Sequence, residues 1–138
     1  MTQENKDLLL KDLCARLPYG VKVKFKVNEV IAIEEKVIYN VDGEYSYITD
    51  GKSYLTLDII KAFFNNYLDE IKPYLFPLSS MTKEQTEELI KLINTAQNDN
   101  NEFMRSLCRI EFYHKHHLDY RGLIPLGLAK DATGLGIY

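Results

Sequence analysis

Little in this sequence would staple, anchor or export it. Only two of 138 residues are cysteine, Cys14 and Cys108, each inside an apolar helical pattern and far from any CxxC spacing. That speaks against a disulfide framework or a zinc finger, and both thiols read as buried side chains. No stretch approaches the roughly 18 apolar residues of a membrane span. The start, MTQENKDLLLKDLCARL, lacks the basic opening and long apolar run of a signal peptide. The expectation is a cytoplasmic protein with no membrane contact. With four prolines, seven glycines and no low-complexity tract, nothing resembles a disordered linker.

A strong charge of one sign is missing too. The net charge of −3 is the sum of +3 over residues 1–28, −6 over 29–70 and zero over 71–138. An acidic middle disfavours a broad phosphate-binding face, so nucleic acid is an unpromising partner. What is present is enough apolar material, 46% of residues, for one core in a chain of single-domain size.

Leu10, Leu13, Cys14 and Leu17 follow i, i+3, i+4, i+7 spacing, which predicts a helix from about Glu4 to Leu17, ended by Pro18 and Gly20. Val21, Val23, Phe25 and Val27 then alternate with Lys22, Lys24 and Lys26, the mark of a half-buried strand with its lysines in water. The same style continues to Thr56, broken at Asp42-Gly43 and Asp50-Gly51, both suited to tight hairpins. Residues 57–67 fit a strand or a short helix, and strand is the expectation. Pro73 and Pro77 mark an irregular crossing segment. Thr82-Lys-Glu-Gln85 is a capping box that opens a helix to about residue 97, and a last helix runs over 102–117 before the chain ends as coil.

The layout is one α+β domain over 1–138: a helix over 1–20, a curled antiparallel β-meander with its crossing segment over 21–78, SH3-like if it closes, and a helical part over 79–138.

Three stretches, LLLKDLCARLPYGV, IKPYLFPLSSMT and HHLDYRGLIPLGLA, resemble those of a family of short uncharacterised proteins encoded by Bacteroides and related gut bacteria, often in phage-like or mobile regions. The similarity covers both ends and the middle of the chain. It implies an intracellular bacterial or phage-derived protein and carries over no catalytic residue, cofactor or ligand. In the family pattern His116 and His117 recur, whereas the position of His114 usually holds another residue.

All three histidines lie within FYHKHHLDYRG. If the last helix reaches His117, Phe103, Leu107, Ile110, His114 and His117 share a face at about 100° per residue, while His116 points away into solvent. Glu111, His114 and His117 are then the one set that could hold a metal, but an E-x-x-H row needs further ligands on facing helices, and no other histidine exists. The expectation is no metal and no cofactor. A histidine at the last turn also suits the negative end of the helix, with Gly122 supplying the left-handed exit.

Elsewhere the pattern is structural. Ser79 and Ser80 read as turn and capping residues, Thr133-Gly134-Leu135-Gly136 as a frayed terminus, and Tyr39, Tyr45, Tyr47 and Tyr54 as strand packing before base stacking. Without a complete catalytic constellation, the expected function is a non-catalytic protein-binding or regulatory module with a protein partner. The alternatives are an enzyme of unrecognised type, such as a metal-dependent hydrolase using Glu111, His114 and His117, or a binder of single-stranded nucleic acid. The acidic residues Asp42, Glu44 and Asp50 could meet a basic partner. The candidate binding residues are His116, His117, Asp119, Tyr120 and Arg121, an imidazole-carboxylate-phenol-guanidinium cluster at a helix exit. A competing account has Asp119 and Arg121 bonding within the domain to hold LIPLGLA in place. Oligomeric state is not legible.

Overall fold

A computed structural model describes residues 1–27, 40–41, 44–45, 53–97 and 102–138. The chain is α+β. Helix α1 covers Gln3–Arg16 and is capped by Thr2, whose hydroxyl accepts from Asn5 N. A 3-10 turn, Leu17–Tyr19, ends at Gly20 with φ +68°, the left-handed exit foreseen from Pro18 and Gly20. Strand β1, Lys22–Val27, follows, then the two-residue strands β2 (Asn40–Val41), β3 (Glu44–Tyr45) and β4 (Ser53–Tyr54). Next come helix α2 (Leu57–Phe64), strand β5 (Leu68–Pro77), helices α3 (Lys83–Gln97) and α4 (Glu102–Lys115), and short strands β6 (Leu118–Asp119) and β7 (Lys130–Asp131).

The main sheet runs β4-β1-β5-β6, with β7 also on β5; β2 and β3 form a separate pair. Among the described residues it does not close, so the SH3-like barrel is not realised. β1 has the expected face inward: Val21, Val23 and Phe25 are fully buried and Lys22, Lys24 and Lys26 half-buried. The hairpin turns at Asp42-Gly43 and Asp50-Gly51 lie outside the described residues, as do Tyr39, Tyr47 and the side chains of Val27, Glu44 and Tyr45.

Two expectations for the middle of the chain fail. Residues 57–64 are helical: Thr56 caps the element, its hydroxyl accepting from Ile59 N, and Ile59, Ile60, Ala62 and Phe63 are buried at i, i+1, i+3 and i+4. The supposed crossing segment is instead β5, the central strand. It pairs antiparallel with β1 over Leu68–Pro73, and then parallel with β7 at Tyr74 and Leu75 and with β6 at Phe76 and Pro77. Pro73 sits where one ladder ends and the next begins, the position in a strand at which a missing N–H costs least. The chain after residue 117 is likewise not plain coil, because β6 and β7 complete the sheet.

The main core joins Leu9 and Leu13 of α1, the β1 set, the α2 set, Ile71 and Leu75 of β5, and Leu123 and Leu128 from the last loop. A smaller cluster holds the α3–α4 hairpin in place: Leu89, Phe112 and Leu118, with Phe76, Met81, Ile93 and Tyr113 beside them. The capping box is present in both directions, Gln85 N donating to Thr82 Oγ1 (3.1 Å) and Thr82 N to Gln85 Oε1 (3.0 Å).

Candidate functional site

The last turn of α4 stops two residues earlier than its histidines suggest. His116 N still donates to Phe112 O, but His117 N donates to His114 O, and His117 itself takes φ +55°. His117 therefore supplies the left-handed exit assigned to Gly122, which has φ +73° only in the loop beyond. Its carbonyl accepts from Phe76 N at 2.8 Å, and this bond turns the chain onto β5.

That early exit sends the three imidazoles to three places. His114 is 5% exposed; its Nε2 lies 2.9 Å from the Tyr120 hydroxyl, and its ring packs against those of Tyr19 and Tyr120. Its pKa is lowered, by burial first and by the Arg16 and Arg121 charges, with Asp12 opposing. His116 does not stand in solvent: it packs on the Phe112 ring at 4.4 Å between centroids, with Nε2 3.6 Å from Glu88 and Nδ1 3.4 Å from Gln85. His117 stacks on Tyr138 at 3.9 Å and an interplanar angle of 12°. Burial, followed by the charges of Arg16, His116 and Lys22, holds it down at about 4.

Glu111 is exposed, so the Glu111, His114, His117 set does not converge. Among the described residues no three His, Cys, Asp or Glu side chains are grouped to hold a metal ion.

The other candidate residues turn inward. Asp119, 7% exposed, accepts from Leu123 N (2.9 Å) and Ile124 N (2.8 Å), which folds the start of LIPLGLA back on itself. Tyr120 stacks on Tyr113 and lies beneath the guanidinium groups of Arg16 and Arg121, 5.5 and 4.9 Å from its centroid. Arg121 Nε is 3.1 Å from Asp12 Oδ1, close enough for charge pairing but outside hydrogen-bond alignment.

Asp12 and Arg16 were not visible as partners in the sequence, yet they organise this region. Both are fully buried; Arg16 Nε donates to Asp12 Oδ2 at 2.7 Å and Nη2 to Leu118 O at 2.8 Å. One carboxylate thus faces two guanidiniums, and Arg16 Nη1 is buried without a hydrogen-bond partner. A signal did exist: Asp12 and Arg16 are four apart and share a helical face with Leu9 and Leu13. The buried stripe of α1 is Leu9, Asp12, Leu13 and Arg16, not Leu10, Leu13, Cys14 and Leu17. Cys14 is accordingly exposed and Cys108 only half-buried, contrary to the buried-thiol expectation.

The C-terminus is also engaged where fraying was expected. Tyr138 Oη accepts from Lys22 N (2.9 Å) and donates to Tyr74 O (2.8 Å), while Lys22 Nζ donates to Ile137 O at 2.7 Å. Although 44% of Tyr138 is exposed, its hydroxyl is held by these two hydrogen bonds, and burial pushes the phenol up to about 12 against the lowering effects of the Lys22 hydrogen bond and Arg16. Lys22 also lies over the rings of Tyr54 and Tyr138. Of the nominal lysine stripe, this member belongs to the clasp.

The helical hairpin contrasts with this inward-turned region. Along α4, Phe103 is 71% exposed and Met104, Leu107 and Ile110 are each 38% exposed; on α3, Ile90 is 52% exposed. At about 100° per residue the four α4 residues span an arc of about 120°, roughly opposite Phe112, which faces α3 and the small cluster. Phe103, Leu107 and Ile110 line up with buried His114, as their spacing implies, yet face outward.

No known family model, curated protein or solved structure matches this chain. Among the described residues no helix is long and apolar enough to cross a membrane.

Proposed function

We infer that this chain is a non-catalytic protein-binding module that docks its partner on the outer face of α4. One observation supports the reading: among the described residues α3 and α4, of 15 and 14 residues, bury few side chains, while Phe103, Met104, Leu107 and Ile110 form one exposed apolar patch with Glu111 at its edge. Helices of this length draw most of their stability from burying an amphipathic face. A contiguous exposed apolar arc on a small domain is the ordinary mark of an interaction surface. The reading moves the site from the His116–Arg121 turn, whose Asp119, Tyr120 and Arg121 already spend their polar groups on the domain itself. The acidic residues 42, 44 and 50 carry no part of it.

The setting is the cytoplasm of a bacterium, in keeping with the resemblance to short Bacteroides and phage-associated proteins, and the partner is a protein in preference to nucleic acid. Affinity capture from that host, with wild-type bait beside Leu107→Glu and Lys130→Glu, tests it. Prey lost with Leu107→Glu and kept with Lys130→Glu is the expected outcome; prey kept with both removes α4 as the site.

A further inference from the structure

We propose that the split between β1 and β6 along β5 is a recognition slot for a peptide-borne tyrosine, filled from within the chain by Tyr138, which acts as a tethered, displaceable plug.

The slot arises where β5 changes partners. Continuing the β1–β5 register one residue past Val23 and Pro73 sets Lys22 opposite Tyr74. The Tyr138 hydroxyl bridges these two backbones, accepting from Lys22 N at 2.9 Å and donating to Tyr74 O at 2.8 Å. Tyr74 and Phe76, two apart in the strand, turn their backbone polar groups to one edge, and there Phe76 N donates to His117 O at 2.8 Å. The hydroxyl therefore occupies the step at which β1 hands the edge of β5 to β6.

Three features of the occupant are read. Its ring lies flat on that of His117, 3.9 Å away at 12°, and tilted against that of Phe76 at 5.8 Å. Its hydroxyl must accept and donate at once. The carbonyl of the residue before it, Ile137 O, accepts from Lys22 Nζ at 2.7 Å, and that ammonium lies 5.1 Å from the centre of the Tyr54 ring. Ring, hydroxyl and preceding carbonyl belong to any tyrosine within a peptide. Phenylalanine would bring no hydroxyl to Lys22 N and Tyr74 O, and a phenolate could not donate to Tyr74 O. Burial favours the protonated phenol, whose pKa is pushed up to about 12.

The attachment of the plug suits release. Residues 133–136 are exposed, Gly134 and Gly136 are left-handed, and Tyr138 itself is 44% exposed. Among the described residues the main core draws on none beyond Ala129, so the ring can leave without opening it. A plug on a short tether competes at an effective concentration in the millimolar range. Wild type should therefore bind a second tyrosine more weakly than a chain whose plug is removed.

Titration of the isotope-labelled full chain with N-acetyl-tyrosinamide, followed by NMR at the Lys22 amide, tests this; the acetyl carbonyl of the probe stands for that of Ile137. Tyr138→Ala is expected to bind it with a Kd on the order of 1 mM, shifting the Lys22 amide most. N-acetyl-phenylalaninamide, lacking the hydroxyl, and p-cresol, lacking the carbonyl, should each bind that variant about tenfold more weakly. Wild type should bind N-acetyl-tyrosinamide about tenfold more weakly than Tyr138→Ala does. Tyr138→Phe, which keeps the ring of the plug and loses its hydroxyl, should fall between them and carries the test if Tyr138→Ala does not fold. No binding by either variant, equal affinity for the tyrosine and phenylalanine probes, shifts centred away from Lys22 and His117, or wild type binding as tightly as the variants overturns the proposal. If p-cresol binds as tightly as N-acetyl-tyrosinamide, the assignment to a peptide-borne tyrosine is overturned.

Discussion

Replacing Asp12 by alanine strips the buried cluster of the carboxylate that Arg16 and Arg121 share. Asp12 and Arg16 are both fully inaccessible, and Arg121, whose side chain is 20% exposed, leans on the same carboxylate. Breaking one side of a buried pair leaves an uncompensated charge and costs about 3–5 kcal/mol, a large share of the ~5–15 kcal/mol that holds a domain together. For a chain of this size each kcal/mol moves Tm by about 3 °C, so Asp12→Ala should melt about 10–15 °C lower. Arg16→Met should cost less, because Asp12 keeps Arg121 and the methionine stem fills much of the space. The double variant Asp12→Leu/Arg16→Met should recover a good part of the loss, since matched apolar replacements of buried pairs are often neutral. Urea titration followed by circular dichroism, with the slope of unfolding free energy against denaturant held constant, measures all three. An Asp12→Ala variant within ~1 kcal/mol of wild type, or an Arg16→Met variant that costs more than Asp12→Ala, refutes the reasoning.

His117 is neutral in the fold with its pKa held down at about 4, while in the unfolded chain it titrates near ~6.5. Between those values the unfolded chain binds the extra proton, so stability is complete above about pH 6.5 and falls as pH drops towards 4, by up to about 2 kcal/mol after screening. His117→Phe should flatten that acid limb, and a limb that persists unchanged assigns it elsewhere. Tyr138→Phe removes the hydroxyl shared by Lys22 N and Tyr74 O and should cost about 1–3 kcal/mol; a variant as stable as wild type in thermal melts shows that the terminus does not clasp the sheet. In the native state Cys14, exposed, should react with a thiol reagent well before half-buried Cys108; equal rates by mass spectrometry contradict the α1 register.

Local signals were legible where one residue type carried one message. The alternation of Val21, Val23 and Phe25 with lysines marks β1, and the Thr82–Gln85 box marks the start of α3. The misreadings have physical causes. The buried face of α1 is half charged, so apolar periodicity points one residue away from it and leaves Asp12 and Arg16 unseen. Ile59-Ile60 and Phe63-Phe64 are adjacent apolar pairs that suit a strand in isolation, but the Thr56 cap and burial on α1 and β5 make them helical. Pro73 and Pro77 suggest irregular chain, whereas a strand that changes partners midway tolerates them. At the candidate site, extrapolating a helical wheel beyond Lys115 fails because His117 is left-handed. The exposure of the α4 stripe was unreadable for a different reason: spacing identifies a face but not what covers it.

The most direct measurement of the central claim places a photo-activated crosslinking amino acid at position 107 of the full chain in living cells of a host bacterium, with position 130 as the control. The account predicts a protein adduct from position 107 with little or none from position 130. No protein adduct from position 107, or equal adducts from both positions, contradicts it.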